Sequence, residues 1–264
     1  AGVAVVAAGV GSVLLAAAVF EGRKAGLRIV GAVVDHGLQP GSDAVSEAVR
    51  RQLRAWQADG PLADAPGGPP RLEILLARVT GTGGRGGPEA AARRARYRVF
   101  EDSLALSGGV LLLGHTLDDQ AEQVLLGLMR GSGTRALAGM RADRARLLRP
   151  FLLGPEIVPG GPVRRVDTEL ACEALGLEPW HDPHNDDPRF TRVRARRVLA
   201  HLSAELGEDL TPALARTAEH ARADADLLDA LAAGQLPVVA VGARAKGRAR
   251  PRGSAPEHWS TGGG

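Results

Sequence analysis

Four short apolar runs in the first half of the chain predict buried β-strands. They lie at residues 3–8, 27–34, 72–76 and 110–113, and each is followed by a turn-like or polar stretch. Segments with helical periodicity separate them, at residues 12–23, 42–56 and 89–106. Strands that alternate with helices at this spacing predict βαβ units, and therefore a doubly wound α/β fold with a parallel sheet and right-handed crossovers.

The second half of the chain has a helical pattern. Periodicity predicts helices at residues 166–175, 190–206 and 211–231, the last with Thr211 as its cap and Pro212 at its first position. From Gly234 onward Gly, Pro, Arg and Ala follow without periodicity, which is typical of a disordered basic tail. We therefore predict an α/β domain at residues 1–200, a helical linker or subdomain at 201–233 and a disordered tail at 234–264.

The first twenty residues carry no charge and are almost wholly apolar. A signal peptide or a membrane span is one interpretation of such a run. Gly9 and Gly11 interrupt it where a strand would turn into a helix, and buried parallel strands also form continuous apolar runs. We therefore favour a buried strand and expect no membrane partner. The chain begins without Met, which hints that it is a fragment of a longer protein.

Composition limits the core and the compartment. Of the 264 residues, 44% are hydrophobic but only 3% are aromatic, so the core must be built mainly from Leu, Val and Ala. The net charge is only +3, yet local clusters of Arg can bind phosphate. The one cysteine, Cys172, excludes an internal disulfide and a Cys-x-x-Cys metal site, and it fits a reducing, cytoplasmic location.

Ionisable side chains follow two of the predicted strands. Asp35 follows the second strand, and a group of four follows the fourth: His115, Asp118, Asp119 and Glu122. In open parallel sheets, ligands bind beyond the carboxyl ends of the strands. These positions therefore predict a functional site at that edge of the sheet.

Asp119 and Glu122 lie three residues apart, on one face of the predicted helix. Like charges in this arrangement repel by ~0.2–0.5 kcal/mol per pair unless a cation lies between them. Mg²⁺ bound to ATP phosphates, or a lysine ammonium group, would provide that cation. A structural alternative stays open, because Thr116 followed by Asp119 three residues later also fits a helix capping box.

A set of motifs occurs in order along residues 3–199. The most specific is GHTLDDQAE at residues 114–122. The others are VDHGL at 34–38, EAAARRARY at 89–97, RGSG at 130–133, RPFL at 149–152, DPHND at 182–186 and FTRVRAR at 190–196. Together they resemble the motifs of the tRNA(Ile)-lysidine synthetases, a branch of the ATP pyrophosphatase or PP-loop family.

The resemblance implies a fold and a reaction. The fold is a Rossmann-like sheet of the adenine nucleotide α-hydrolase type with a C-terminal helical segment. In the reaction, ATP adenylates the wobble cytidine of the isoleucine tRNA with a CAU anticodon, and pyrophosphate leaves. The ε-amine of free L-lysine then displaces AMP from C2 to form lysidine. ATP and Mg²⁺ are the implied cofactors, the tRNA and lysine are the implied partners, and a homodimer is an option.

The same resemblance assigns roles to the residues at the matched motif positions. The implied catalytic residues are Asp35, Arg93, His115, Asp119 and Glu122. The implied nucleotide-binding residues are Ala7, Ala8, Gly9, Val10, Gly11, Ser12 and Asp118, and Asp118 is also assigned to the Mg²⁺ that accompanies ATP. The implied RNA-binding residues are Arg96, Asn185, Arg192 and Arg196.

The phosphate loop departs from the family pattern. The family has SGGxDS after the first strand, whereas this chain has AAGVGS at residues 7–12. Such a loop binds phosphate through backbone N–H groups and a hydroxyl at a helix N-terminus. Losing a preorganised polar contact of this kind costs ~3 kcal/mol, which is about a hundredfold in rate.

Two alternatives therefore stay open. The first is a catalytically impaired homologue that keeps the fold and an affinity for tRNA. The second is another tRNA-modifying ATP pyrophosphatase such as a thiolase, which would be expected to contain several cysteines, whereas this chain has one.

Overall fold

The computed structural model describes most of the sheet and nearly all of the C-terminal helices. The described residues are 2–6, 18, 27–35, 41–59, 72–78, 94–95, 97–102, 109–131, 133–155, 160–177 and 185–246.

A six-stranded sheet forms the centre of the fold. Its strands are β1 Gly2–Val6, β2 Arg28–Asp35, β3 Leu72–Arg78, β4 Val110–Leu112, β5 Asp143–Arg144 and β6 Leu147–Leu148. They lie in the order β3-β2-β1-β4-β6-β5. Neighbouring strands are parallel except for the short antiparallel pair β5 and β6 at one edge. The predicted parallel sheet is confirmed.

Strand β1 is central, because it pairs with β2 on one side and with β4 on the other. The apolar start of the chain thus contributes a sheet strand, as its pattern suggested. The strand order also reverses between β1 and β4, and a reversal of this kind opens a crevice beyond the carboxyl ends of the two strands. This crevice is where a ligand is expected in an open α/β sheet.

Helices flank the sheet and dominate the second half of the chain. They are α1 Ser42–Asp59, α2 Leu117–Met129, α3 Thr134–Leu137, α4 Arg165–Ala174, α5 Thr191–Leu206 and α6 Leu210–Lys246, with a short 3₁₀ turn at Pro150–Leu152. Residues 94–95 and 97–102 are also helical, inside the helix predicted at 89–106. Helices α5 and α6 both pack against α2. None of the helices within the described residues has the length and apolar character needed to cross a bilayer.

Two apolar clusters cover opposite faces of the sheet. Side chains alternate along a strand, so Ile29 and Val33 of β2 face one side while Ala32 faces the other. The first cluster consists of Ile29, Val33, Leu53, Phe151, Cys172 and Leu177. The second consists of Ala32, Phe100, Leu111 and Leu113. The sheet is therefore buried on both faces, which explains why its strands are continuous apolar runs.

Cys172 of α4 lies in the first cluster and is 2% exposed. Burial raises the pKa of its thiol above the ordinary range, with a smaller contribution from the nearby Glu169 carboxylate. The residue thus behaves as a small apolar core residue.

The predicted cap of the last helix is wrong. Helix α6 begins at Leu210, and the backbone N–H of Thr211 donates to Asp209 Oδ1 at 2.9 Å. Asp209 therefore caps the helix from the position just before it, and Thr211 lies buried in the first turn. Asp is at least as good a cap as Thr, and periodicity alone does not decide between two adjacent candidates.

The predicted division of the chain at residues 200 and 234 does not coincide with helix ends. Residue 200 lies inside α5, and α6 continues past Gly234 to Lys246. Arg222 of α6 donates to the carbonyl oxygens of Ala138 and Met140 at 2.5 and 2.7 Å, which ties α6 to the segment after α3. Residues 247–264 lie outside the described residues, and the three-part division stays a prediction.

Truncation of Leu111 tests the second cluster. This β4 side chain is 2% exposed, so Leu111→Ala leaves a cavity and should lower the free energy of unfolding by about 2–5 kcal/mol. The control Leu128→Ala removes the same atoms from a side chain that is 48% exposed, with an expected loss below about 1 kcal/mol. Urea denaturation measures both, and equal losses would contradict this account of the core.

Candidate active site

Helix α2 begins directly beyond β4, at the sheet edge where the strand order reverses. Thr116 precedes its first turn, and the Thr116 backbone N–H and hydroxyl both donate to Asp119 Oδ2, at 2.8 and 3.0 Å. Thr116 and Asp119 form a reciprocal capping box. Asp119 therefore has the structural role of a helix cap, but this role uses only one of its two carboxylate oxygens.

Gln120 has a structural role. Its side chain accepts the backbone N–H of Met140 at 2.7 Å and donates to the Met140 carbonyl at 3.1 Å, in a buried position. Gly139 has a positive φ of 60°, and a Cβ atom there would lie 2.6 Å from Gln120 Oε1. The glutamine thus fixes the segment after α3 against α2, and the close approach requires glycine.

Asp118 is held by two successive arginines. The Arg164 guanidinium donates to both Asp118 oxygens at 3.0–3.3 Å, and the Arg165 backbone N–H donates to Asp118 Oδ2 at 2.7 Å. Burial by itself would raise the pKa of Asp118, but these hydrogen bonds outweigh it and hold that pKa below the ordinary range. Arg164 also donates to Asp209 Oδ2 at 2.6 Å, so it links α2 to the start of α6.

The Arg165 side chain lies between the other two acids of α2. Its Nη2 donates to Asp119 Oδ1 and to Glu122 Oε1, both at 3.2 Å. Arg196 of α5 donates through Nε to the same Glu122 oxygen at 2.8 Å. Opposite charges from Asp119 and Glu122 raise the pKa of Arg165 although its burial lowers it. The expected cation between the acids is thus present, and it belongs to the protein.

The second oxygen of Glu122 lies out of contact with solvent. The Glu122 side chain is 2% exposed, and no group among the described residues donates a hydrogen bond to its Oε2 atom. Buried polar atoms usually find a partner, so this oxygen is an available acceptor inside the site.

His115 contacts an arginine at the start of the 3₁₀ turn. Arg149 Nε donates to His115 Nδ1 at 3.3 Å, while Arg149 Nη1 donates to the Arg141 carbonyl at 2.6 Å. Because Nδ1 accepts this hydrogen bond, the ring hydrogen of a neutral His115 is assigned to Nε2.

Asp35 is the last residue of β2, two strands away from β4. Its buried carboxylate forms an ion pair with Arg78 at the end of β3, with Nε and Oδ2 3.2 Å apart. Asp35 thus lies at the predicted edge of the sheet, but on the β3 side of β1, whereas the α2 acids follow β4. Its catalytic role stays a prediction.

Three of the four predicted RNA-binding residues are among the described residues. Arg192 and Arg196 turn towards α2, where Arg192 donates to Gln123 Oε1 at 3.2 Å and Arg196 binds Glu122. Asn185 is exposed. Arg96 lies outside the described residues, as do Arg93 and the phosphate-loop residues Ala7, Ala8, Gly9, Val10, Gly11 and Ser12.

Sequence reasoning missed Arg149, Arg164 and Arg165. A signal for the last two was present, because cations at a helix N-terminus oppose the helix dipole. Two arginines open α4, so their placement indicates that the side chains serve another element. The acid triplet needed compensating charge, and this pair provides it.

Asp118 in this arrangement does not fit a direct Mg²⁺ ligand, because both of its oxygens already accept N–H groups from Arg164 and Arg165. Among the described residues there is also no group of three or more His, Cys, Asp or Glu side chains that could hold a metal ion.

Fold and site together define an α/β protein with a cluster of paired charged side chains on the helix that begins beside the switch point of a parallel sheet. The family model of the PP-loop domain matches residues 2–202. The chain belongs to this PP-loop domain family, and membership implies the use of ATP.

Curated relatives point to one branch of the family. The chain is 49% identical over 221 residues to the tRNA(Ile)-lysidine synthase of Leifsonia xyli subsp. xyli, covering 83% of this chain and 60% of the relative. It is 49% identical over 210 residues to the tRNA(Ile)-lysidine synthase of Mycobacterium tuberculosis, covering 79% and 57%. The motif resemblance is confirmed, and the chain spans about three fifths of the length of these relatives.

A solved structure agrees on the fold. The U34-tRNA thiolase NcsA from Methanococcus maripaludis, which contains a [4Fe-4S] cluster, matches 83% of this chain and 71% of its own with a TM-score of 0.58. At 17% sequence identity this likeness concerns the fold alone.

Acid titration tests the anchoring of Asp118. Its folded-state pKa lies below the ordinary aspartate value of 3.8, so the carboxylate stabilises the fold fully above that value and loses its contribution as the pH falls through the folded pKa. Asp118→Asn should therefore lower the free energy of unfolding at pH 7 and at pH 5, with a difference from wild type that shrinks below pH 3.8. Urea denaturation across this range measures it.

The control for this titration is Asp102→Asn, at an exposed helix position. It should change the free energy of unfolding by less than about 0.5 kcal/mol at each pH. An Asp118→Asn loss that stays constant down to the lowest pH would contradict the role of the carboxylate charge.

Proposed function

We propose that this chain carries the catalytic domain of a tRNA(Ile)-lysidine synthase. It would use ATP to adenylate the wobble cytidine of isoleucine tRNA with a CAU anticodon, releasing pyrophosphate. The ε-amine of lysine would then attack C2 of that base, and AMP would leave. The proposal extends to the whole reaction, although the chain spans only part of the length of its relatives.

One observation carries the amine half of this proposal. A cationic nitrogen, Arg165 Nη2, lies 3.2 Å from both Asp119 Oδ1 and Glu122 Oε1, at the sheet edge where PP-loop proteins have their ligand. An acid pair that holds a guanidinium nitrogen in this way has the charge and the spacing to hold an ammonium group. The similarity to tRNA(Ile)-lysidine synthases supports lysine as the source of that group.

The reaction of lysine requires these acids to bind an ammonium ion and to accept its proton. Lysine arrives as an ammonium ion, and its amine must lose a proton before it can attack C2. A carboxylate can first bind the cation and then accept the proton, which is the ordinary role of a general base. Glu122 suits this role because its Oε2 is buried and accepts no hydrogen bond from the part of the chain that the structure describes. Asp119 would hold the amine in place through Oδ1, since its other oxygen caps α2.

The part of the proposal that concerns ATP phosphates is supported by the sequence, because residues 7–12 lie outside the described residues. The loop at residues 7–12 keeps Gly9 and Ser12 of the family pattern and lacks three of its polar or flexible positions, at Ala7, Ala8 and Gly11. This observation favours a second candidate, a homologue that keeps the fold and tRNA affinity but cleaves ATP slowly. The thiolase alternative has less support, because an iron–sulfur cluster is held by several cysteines and this chain has one, which is buried.

Replacement of Glu122 tests the amine half. Glu122→Gln keeps the size of the side chain but removes its charge and its ability to accept a proton, so kcat/KM for lysine should fall by about a hundredfold or more. The measurement is lysidine formation from ATP, L-lysine and tRNA(Ile) transcript, followed by mass spectrometry of the nucleosides.

The matched control is Glu169→Gln, an exposed glutamate on α4, which makes the same change in charge. Its kcat/KM should stay within about twofold of wild type. Lysine-dependent product formed by Glu122→Gln at the wild-type rate would exclude the proposed role of Glu122.

Reversion of the phosphate loop separates the two candidate functions. The triple variant Ala7→Ser, Ala8→Gly, Gly11→Asp restores the family pattern, and it should raise the rate of pyrophosphate release by at least about a hundredfold, the usual value of a single contact of this kind. A pyrophosphate-coupled assay with ATP, lysine and tRNA measures it. Equal rates before and after reversion would mean that the altered loop is not what limits the reaction.

A further inference from the structure

The acid pair of the proposed amine site is electrically satisfied by the protein itself. Asp119 and Glu122 supply two negative charges, and Arg165 and Arg196 supply two positive charges in direct contact with them. A third acid, Asp118, pairs with Arg164, which also binds Asp209. An incoming ammonium ion therefore meets two acids whose charges are already balanced by arginines in direct contact with them, and this weakens its electrostatic attraction to the pair.

Geometry shows whether Arg165 or Arg196 competes with the amine. Arg165 bridges the two acids with a single nitrogen atom, whereas Arg196 donates to one acid of the pair, Glu122. The bridging nitrogen of Arg165 thus has the position that an amine nitrogen would need in order to contact both carboxylates.

An ammonium group would satisfy this position better than the guanidinium does. The Arg165 nitrogen reaches Asp119 Oδ1 and Glu122 Oε1, and within the described residues Glu122 Oε2 stays buried without a hydrogen bond. A guanidinium NH₂ group has two N–H donors in one plane, whereas an ammonium has three that point in different directions. The third donor has an acceptor available in Glu122 Oε2.

Arg165 also has the freedom to leave. It is the first residue of α4, and its backbone N–H is anchored independently of its side chain, on Asp118 Oδ2. Its side chain is 22% exposed. The guanidinium can therefore swing outward while the helix stays in place.

We propose that the Arg165 guanidinium occupies the amine subsite as an internal substitute for the substrate, and that it swings out when the ε-ammonium of lysine binds between Asp119 and Glu122. The inference rests on the proposed function. Arg165 thereby sets the affinity for the amine, because only the fraction of molecules with Arg165 withdrawn can bind it. It also keeps the acid pair compensated between turnovers, when an unpaired buried charge would destabilise the fold.

Removal of the competing side chain gives the first test. Arg165→Ala should bind n-butylammonium, a minimal amine probe, about tenfold more tightly than wild type in isothermal titration calorimetry, because the subsite is then permanently vacant. KM for lysine should fall in parallel. Equal or weaker binding by the variant would overturn the proposal and make Arg165 a residue that positions the acids for the amine.

The neighbouring arginine provides a matched control. Arg164→Ala removes the same charge from the same cluster but leaves Asp119 and Glu122 bridged by Arg165. Its affinity for n-butylammonium should change by less than about threefold. An increase as large as that of Arg165→Ala would mean that net charge alone sets the affinity, and the proposal would fall.

A second test needs no variant, and so holds even if Arg165→Ala fails to fold. Phenylglyoxal modifies accessible arginines, and tryptic mass spectrometry locates the modified residue. Saturating n-butylammonium should increase the labelling of Arg165 in wild-type protein severalfold and leave that of Arg164 unchanged. Unchanged or decreased labelling of Arg165 would overturn the proposal.

The two levels of inference fail differently. Suppose that wild type forms lysidine, that the amine does not increase the labelling of Arg165, and that Arg165→Ala does not bind the amine more tightly. Only the proposed role of Arg165 is then wrong. If no form of the protein binds an amine and none forms lysidine, the proposed function is wrong as well.

Discussion

Three carboxylates within the first turns of helix α2 are the constraint on which this site depends. Asp118, Asp119 and Glu122 lie close together and largely out of water, where unpaired charges are strongly destabilising. The fold compensates them with guanidinium groups from two other helices, Arg164 and Arg165 at the start of α4 and Arg196 on α5. Helix packing around α2 is thus determined by charge as well as by apolar burial.

This network extends beyond the site itself. Arg164 binds Asp118 with one part of its guanidinium and Asp209 with another, and Asp209 caps α6. The long C-terminal helix is therefore connected to the acid cluster through two side chains. Arg222 and Gln120 make a second connection, because both hydrogen-bond to Met140. Helix α6 is consequently a part of the site's scaffold, and a linker role alone does not describe it.

Several residues of the GHTLDDQAE motif serve structure and chemistry at once. Asp119 caps α2 with one oxygen and faces a cation with the other. Gln120 fixes a neighbouring segment, and Asp118 accepts the first N–H of α4. Glu122 differs from them, because its buried Oε2 has no hydrogen-bond partner among the residues that the structure describes. Because so many residues of this motif hold neighbouring elements in place, few of them could change without moving a helix. This gives a physical reason why the motif can identify the family.

The sequence by itself predicted the parallel sheet, its first four strands and the edge at which the acids lie, but not the short strands β5 and β6. These features depend on periodicity and on the local rule that ligands bind beyond the carboxyl ends of strands, so nearby residues suffice to predict them. Helix ends were harder to predict, because nearby polar residues compete for the same N–H groups. The cap of α6, for example, is Asp209 and not the predicted Thr211. Only the tertiary structure decided what faces the acids. Arg164 and Arg165 are more than forty residues from Asp118 and Glu122 along the chain, and a pairing over that distance leaves no periodic trace in the sequence.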